Sequence, residues 1–324
     1  MLYPLTFHPI FKERVWGDRN LERLYQKPLP AGVPIGESWE LTDRPEGVSV
    51  IANGPHAGKD LRWLMEHHSA DLLGTPTKNQ FPLLLKILDA DQKLSLQVHP
   101  PAAKAAALGG EPKTEMWYIA RAAPGAELYV GLKRGVTREE FERKVTGGGV
   151  ADCFHRIPVS TGDSMFLPSG RVHAIGAGLV IFEIQQNSDT TYRVYDWDRV
   201  GLDGKPRALH IQESLASIDF NDFEPDVLHP KFDGTRPVEQ QVLVRDRLFT
   251  VEAYRARAGE RVNLVPHRMQ IIAMVSGTLA ASGAGETVRL TPGQFCVVPA
   301  CMDEGALGVE SDSTFLRIEA GQGR

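Results

Sequence analysis

Apolar positions fall mostly into short runs along this chain. Those at 95–98, 115–119, 164–167 and 179–184 are rich in β-branched, aromatic or long apolar residues and are bounded by Gly, Pro, Asp or Ser. That pattern predicts strands. The same style returns at 241–244, 249–254, 270–275, 287–290 and 295–298. Many short strands with turn residues between them predict sandwiches or barrels, the jelly roll included. Helical patterning is sparser. Residues 60–67 read as one helix, with a second segment from Ser69. Thr137-Arg138-Glu139-Glu140 before Phe141 is a capping-box sequence that opens another, and 210–218 reads as a further helix. The apolar run at 81–85 is broken by Lys86, and no stretch reaches the ~18 uninterrupted apolar residues of a membrane span.

The stretch 221–237 contains Pro225, Pro230 and Pro237 and few apolar pairs. It reads as a connection between domains spanning 1–237 and 238–324. A weak internal repeat supports the division. Gly162 is followed by Pro168, Gly170, His173 and Gly176, whereas Gly293 is followed by Pro299, then Ala300, Cys301 and Met302 with no histidine. Upstream, Gly125 and Gly277 each end a strand-like run. The expected fold is therefore mainly β: two similar β-barrels with a few helices in the N-terminal part, only the first barrel keeping a metal site.

Length and composition narrow the picture. At 324 residues, the chain has room for two domains. A formal net charge of -5 gives no general attraction to polyanions, so neither nucleic acid nor a membrane is expected as partner, and a phosphorylated ligand needs a few placed cations. The N-terminus lacks the basic start and apolar run of a signal peptide. Cys153, Cys296 and Cys301 are odd in number and show no CxxC spacing. A reducing cytoplasm is the expected compartment. Oligomeric state is not fixed by any of this.

Candidate chemistry lies in Gln97-Val98-His99-Pro100, Lys113-Thr114-Glu115 and the segment from Pro168 to His173. Residues i and i+2 of a strand share a face, so Gln97 and His99 project together. Glu115 adds an anionic oxygen and His173 a second imidazole. Two nitrogens with one or two oxygens suit zinc and leave a position open, as a catalytic site requires. Cobalt, nickel or manganese fit the same donors.

Gly-x5-Pro-x-Gly-x2-His, from Gly162 to His173, is the second cupin motif, and Gln97-x-His99 followed by Glu115 resembles the first. More closely, Ser95-x-Gln97-x-His99-Pro100, Lys113-x-Glu115 and the run from Glu183 through Arg193 to Tyr195-Asp196-Trp197-Asp198 resemble the type I mannose-6-phosphate isomerases, in their short bacterial form. Val15-Trp16-Gly17, Gly36-Glu37-Ser38-Trp39-Glu40 and Tyr129-Val130-Gly131-Leu132 belong to the same likeness. It runs from about residue 5 to 220 and continues more weakly beyond. Longer members carry an inserted helical domain that this chain is expected to lack. The resemblance implies two cupin-type barrels and one zinc ion per chain, held by Gln97, His99, Glu115 and His173. It implies interconversion of mannose 6-phosphate and fructose 6-phosphate through an enediolate. It places Arg193, Lys113 and Glu183 in the catalytic site. Ser95, Lys86, Trp16, Glu37 and Lys205 are expected against the sugar phosphate, with Arg207 near Lys205.

Plainer readings stand beside these. Arg193 is also placed to pair with Asp196 or Asp198, Ser95 to cap a loop, and Glu37 and Trp39 to support the fold. Glu183, Lys113 and a metal-bound water are all candidates for the proton carrier. Two rival functions remain: a non-catalytic sugar-binding or regulatory cupin that keeps its metal, and a cupin oxygenase. Gln97 among the ligands and the cations nearby argue against the oxygenase. Intact Lys113, Glu183 and Arg193 argue against a decayed site.

Overall fold

The computed structural model describes residues 1–74, 80–302 and 305–321. Apart from two small two-stranded sheets, its strands form two pairs of antiparallel sheets. The first pair contains a six-stranded sheet in the order Ser164–Leu167, Glu115–Ala122, Leu179–Gln186, Leu83–Ala90, Ile35–Leu41, Ile10–Asp18. Its partner is a five-stranded sheet ordered Phe154–Pro158, Glu127–Leu132, His173–Ile175, Leu96–Val98, Tyr192–Tyr195. The second pair has five strands ordered Val238–Arg245, Phe249–Ala256, Ser313–Ala320, Gln270–Ser276, Phe295–Val298, and four ordered Arg261–Asn263, Ala306–Val309, Leu279–Gly283, Glu286–Leu290. The mainly-β expectation holds, and every predicted strand is present, most of them longer than expected.

The six-stranded sheet is buried on both faces. Successive side chains of a strand point to opposite sides, and the alternation can be followed residue by residue. Leu83, Leu85, Ile87, Met116, Tyr118, Val180, Phe182 and Ile184 pack with Phe249, Ile271, Phe295 and Val297 of the second sheet pair. Leu88, Trp117, Ile119, Leu179 and Ile181 face the other way, into the first pair. The N-terminal segment joins the same cluster through Leu2, Tyr3 and Leu5, and Leu5 bridges to Val297. One core thus spans both halves of the sequence.

Helix Leu61–Leu73 is capped by Asp60, whose carboxylate accepts from the Trp63 N–H at 2.7 Å. His68 has a non-helical backbone (φ -139, ψ 22), so the two expected segments are one helix with a break. Helix Arg138–Gly147 opens on the expected cap, Thr137 Oγ1 accepting from Glu140 N at 3.2 Å. Ile211–Ser217 is the last helix.

The stretch 221–237 is not a free connection. Phe223 bridges to Leu132, Leu228 bridges to Ser164, and Val227 is buried. A glycine makes the close approach possible: Gly131 has φ +70, and a Cβ there would overlap the Pro225 ring. The segment is therefore part of the wall of the first sheet pair.

Candidate functional site

Two rows of polar residues face each other between the sheets of the first pair. In the five-stranded sheet Gln97 is directly opposite His173 on one side and Arg193 on the other. In the six-stranded sheet Glu183 lies between Trp117 and Lys86, and Lys86 is opposite Trp39. Glu115 is two residues before Trp117 and shares its face. His99 follows the strand Leu96–Val98, and its carbonyl accepts from Gly170 N at 2.9 Å. That bond fastens the first histidine to the turn that delivers the second.

His99, Glu115 and His173 converge, with their nearest donor atoms all within 4.8 Å of one another, and all three are buried. His99 Nε2 is 3.4 Å from Glu115 Oε2, and His173 Nε2 is 3.4 Å from Glu115 Oε1. The far side of each ring is tied off. His99 Nδ1 donates to the Thr190 carbonyl at 2.8 Å and His173 Nδ1 to the Arg171 carbonyl at 2.9 Å. Each Nε2 is thereby left as a lone-pair donor, the arrangement usual for metal-binding histidines.

The central atoms lack ordinary partners. His99 Nε2, Glu115 Oε1 and Glu115 Oε2 are buried without a hydrogen bond. Lys113 Nζ does approach Glu115 Oε2 at 3.1 Å, but its direction is that of an ion pair, not of an N–H aimed at a lone pair. Buried polar atoms are nearly always satisfied, and three unsatisfied ones converging on a point fit a cation. Electrostatics agree. Burial pushes His173 down to about 3 and, helped by Lys113, lowers His99. Both rings are neutral and able to ligate. Burial opposes ionisation of Glu115, yet Lys113 holds its carboxyl well below the usual range.

A cavity of about 550 Å³ opens beside this triad. Gln97 and Lys113 both touch the triad and line the cavity. The expected residues Trp16, Glu37, Lys86, Ser95, Glu183 and Arg193 line it too. Lys205 is exposed and is not among the lining residues, whereas Arg207 on the same segment is. The cavity also takes in Arg14 and Asp189, which sequence reasoning did not single out. Arg14 comes from an edge strand and Asp189 from a loop, so only tertiary folding brings them there. The one sequence signal for Arg14 was its position beside the Val15-Trp16-Gly17 motif.

Charges around the cavity are mostly paired. Lys86 is buried among Glu183 Oε1 at 3.3 Å, Asp189 at 3.5 Å and Glu37 at 3.8 Å. Despite burial these carboxylates raise its pKa. Glu37, bound by Arg14 Nε at 2.7 Å and Trp39 Nε1 at 2.6 Å, is brought to about 2 by Lys86 and Arg14 in spite of burial. Burial and Glu115 raise Glu183 against the pull of Lys86, and Trp117 Nε1 donates to its Oε2 at 3.0 Å. Arg193 differs: among the described residues no carboxylate lies in ion-pair range of it. Its Nε donates to Ser95 Oγ at 3.3 Å and its Nη1 to the Ala208 carbonyl at 2.8 Å. Asp196 is taken by Arg199 and Arg207, and Asp198 accepts from Tyr195.

The second sheet pair contains no comparable cluster among the described residues. Gln270, at the position where a ligand glutamate would stand, is buried and ties off a loop, accepting from Val265 N and donating to Val265 O.

Comparison with known proteins agrees with these features. The profile of the type I phosphomannose isomerase catalytic domain matches residues 5–116. A probable mannose-6-phosphate isomerase of Bacillus subtilis is 35% identical over 94% of this chain and 96% of its own length. A mannose-6-phosphate isomerase of Streptococcus mutans is 35% identical over 92% of this chain and 93% of its own. Among solved structures, the mannose 6-phosphate isomerase from Bacillus subtilis superposes with a TM-score of 0.87 at 29% identity, covering 98% of this chain and 100% of that one.

Proposed function

Since this chain belongs to the type I phosphomannose isomerase family, we propose that it interconverts mannose 6-phosphate and fructose 6-phosphate at one divalent metal ion. His99, Glu115 and His173 would hold the ion. The observation that carries this is the set of buried acceptor atoms without partners at the centre of the triad. Two imidazoles and a carboxylate suit zinc with a coordination position left open. Gln97 Nε2 lies 3.2 Å from His173 Nε2; with its amide reversed, Oε1 faces the triad and becomes a fourth donor, since amide orientation follows the bonding network. Three unpaired cysteines suit a reducing cytoplasm.

Aldose–ketose isomerisation moves a proton between adjacent carbons and shifts the carbonyl with it, so negative charge develops on oxygen. The metal, when bound, supplies a Lewis acid beside the reacting oxygens, worth several kcal/mol. This chain's own residues do the rest. Arg193 is a permanently charged guanidinium with no carboxylate partner among the described residues, held by Ser95 and the Ala208 carbonyl; it stabilises developing negative charge. Glu183 carries the proton: it lines the cavity, its oxygens are fixed by Trp117 and Lys86, and its raised pKa brings it closer to neutrality. Lys86 is surrounded by three carboxylates and so organises Glu183 and Glu37 rather than offering free charge. Lys113 keeps Glu115 ionised. Arg14, oriented by Glu37, and Arg207 are the cations best placed for the phosphate, and Trp16 forms an apolar wall.

The test is direct. Purified protein is incubated with fructose 6-phosphate, and mannose 6-phosphate is measured before chelation, after it, and after zinc is returned. Product should appear, vanish and reappear. Oxygen consumption without isomerisation would favour an oxygenase, and binding without turnover a regulatory protein; either overturns the reading.

A further inference from the structure

Given that the cavity takes a sugar phosphate, as proposed above, we infer that Asp196 is a positioning residue that assembles the phosphate end of the site by clamping Arg207. Three observations carry this. The first is geometric. Asp196 is 5% exposed and grips Arg207 through two parallel bonds, Oδ2 to Nε at 2.7 Å and Oδ1 to Nη2 at 2.6 Å. Oδ1 also accepts from Arg199 Nη2 at 2.8 Å and Nε at 3.2 Å. A bidentate carboxylate fixes both position and plane of a guanidinium.

The second concerns the loop between Asp196 and His210, which is held at its base by Trp197 Nε1 donating to the Leu94 carbonyl at 2.7 Å and near its end by Arg193 Nη1 donating to the Ala208 carbonyl at 2.8 Å. Val200, Leu202 and Leu209 are 51%, 56% and 47% exposed, so no large apolar side chain anchors its outer part. Local bonds close its tip: Val200 bridges to Pro206, and Gly201 N donates to the Lys205 carbonyl at 2.7 Å. Arg199 leaves on the outgoing arm and Arg207 returns on the incoming one, and both end on the one carboxylate. Asp196 therefore clips the two arms together. Arg199 is further tied to the Lys93 carbonyl at 2.6 Å, which fixes the clip to the loop that leads into the strand Leu96–Val98. Without the clip, Arg207 regains the rotamer freedom that a long side chain loses on ordering.

The third is charge. One carboxylate faces two guanidinia, so the cluster keeps a net positive charge. Arg207 lines the cavity, and among the described residues no hydrogen bond comes from its Nη1. The fork is thus held at one end by Asp196 and open at the other, beside Arg193, which has no carboxylate in ion-pair range among the described residues. A tetrahedral dianion with several acceptor oxygens matches that presentation.

The experiment is a double-variant cycle with Asp196→Asn and Arg207→Ala, reading kcat, KM, metal content and melting temperature. Asp196→Asn should raise KM for mannose 6-phosphate roughly 10- to 100-fold, the cost of losing hydrogen bonds to a charged group, with kcat within a few-fold. Arg207→Ala should do the same, and the double variant should be no worse than Arg207→Ala alone. Asp196→Glu should recover part of the loss. A merely structural Asp196 predicts a lower melting temperature, reduced kcat in proportion to folded protein, unchanged KM and additivity with Arg207→Ala. That outcome overturns the inference, as does an unchanged KM in a folded Asp196→Asn. If Asp196→Asn does not fold, Arg207→Lys, which keeps the charge but not the fork, must raise KM by itself. Failure of the wild type to isomerise at all would instead sink the functional reading.

Discussion

Arg193 is the residue whose surroundings most clearly separate two readings. An ion pair with Asp196 or Asp198 would have made it a fold element, but Asp196 is bound to Arg199 and Arg207, and Asp198 to Tyr195. Burial and the neighbouring Arg207 lower its pKa, which marks a desolvated cation awaiting an anion. If it acts on developing charge, Arg193→Ala should lower kcat and kcat/KM together by about 10²–10³-fold, with KM and metal content little changed. Near-normal kcat with a depressed melting temperature would show a structural role. Gln97 and His99 were legible in the sequence because strand periodicity puts them on one face, whereas Glu183 and Arg193 stood out through the resemblance to the isomerase family. Arg14 and Asp189 gave no such signal, because the groups they meet, Glu37 and Lys86, come from distant parts of the chain; Asp196 lies inside the Tyr195-Asp196-Trp197-Asp198 run, but its joint grip on Arg199 and Arg207 depends on how the following loop folds back.

At the scale of elements, strands with one turn-bounded apolar run were legible, and 164–167 and 295–298 match to the residue. Leu83–Ala90 was not. All eight of its residues are buried, so the polar–apolar alternation that marks a half-exposed strand is absent. Lys86 looked like the end of an apolar run. It is the middle of the strand, pointing between the sheets into the cavity, with Leu85 and Ile87 pointing out to the second half. The apparent interruption is a residue that lines the cavity. Thr137 and Asp60 announced their helices because capping is local chemistry. Ala102–Ala105, with 4 residues, is too short to carry a periodic pattern. The prolines of 221–237 correctly excluded regular structure there, but composition does not reveal that a chain lacking helix or strand is packed against a wall.

For the whole molecule, the expected division near 237 understates how far the halves depend on each other. Phe182 of the first half lies 5.5 Å from Phe295 of the second, ring centre to ring centre, and Phe166 lies 6.4 Å from Phe249. We propose that residues 238–324 are structural: they cover the outer face of the sheet whose inner face carries Glu115, Glu183 and Lys86. Phe182→Ala should cost about 3–5 kcal/mol, as large-to-small changes in packed cores do, and unfolding should remain one transition seen by probes in both halves. Two resolved transitions, with the second half melting independently, would refute the shared core.

The central claim is that His99, Glu115 and His173 hold the metal on which isomerisation depends. It is tested most directly by measuring bound metal and fructose 6-phosphate turnover on the same samples of wild type and a His99→Ala/His173→Ala double variant. Lys113 still neutralises Glu115 in that variant, so the fold should persist. The account predicts one equivalent of metal and turnover in the wild type, and neither in the folded variant. Two equivalents in the wild type, or a variant that keeps its metal and its activity, would contradict it.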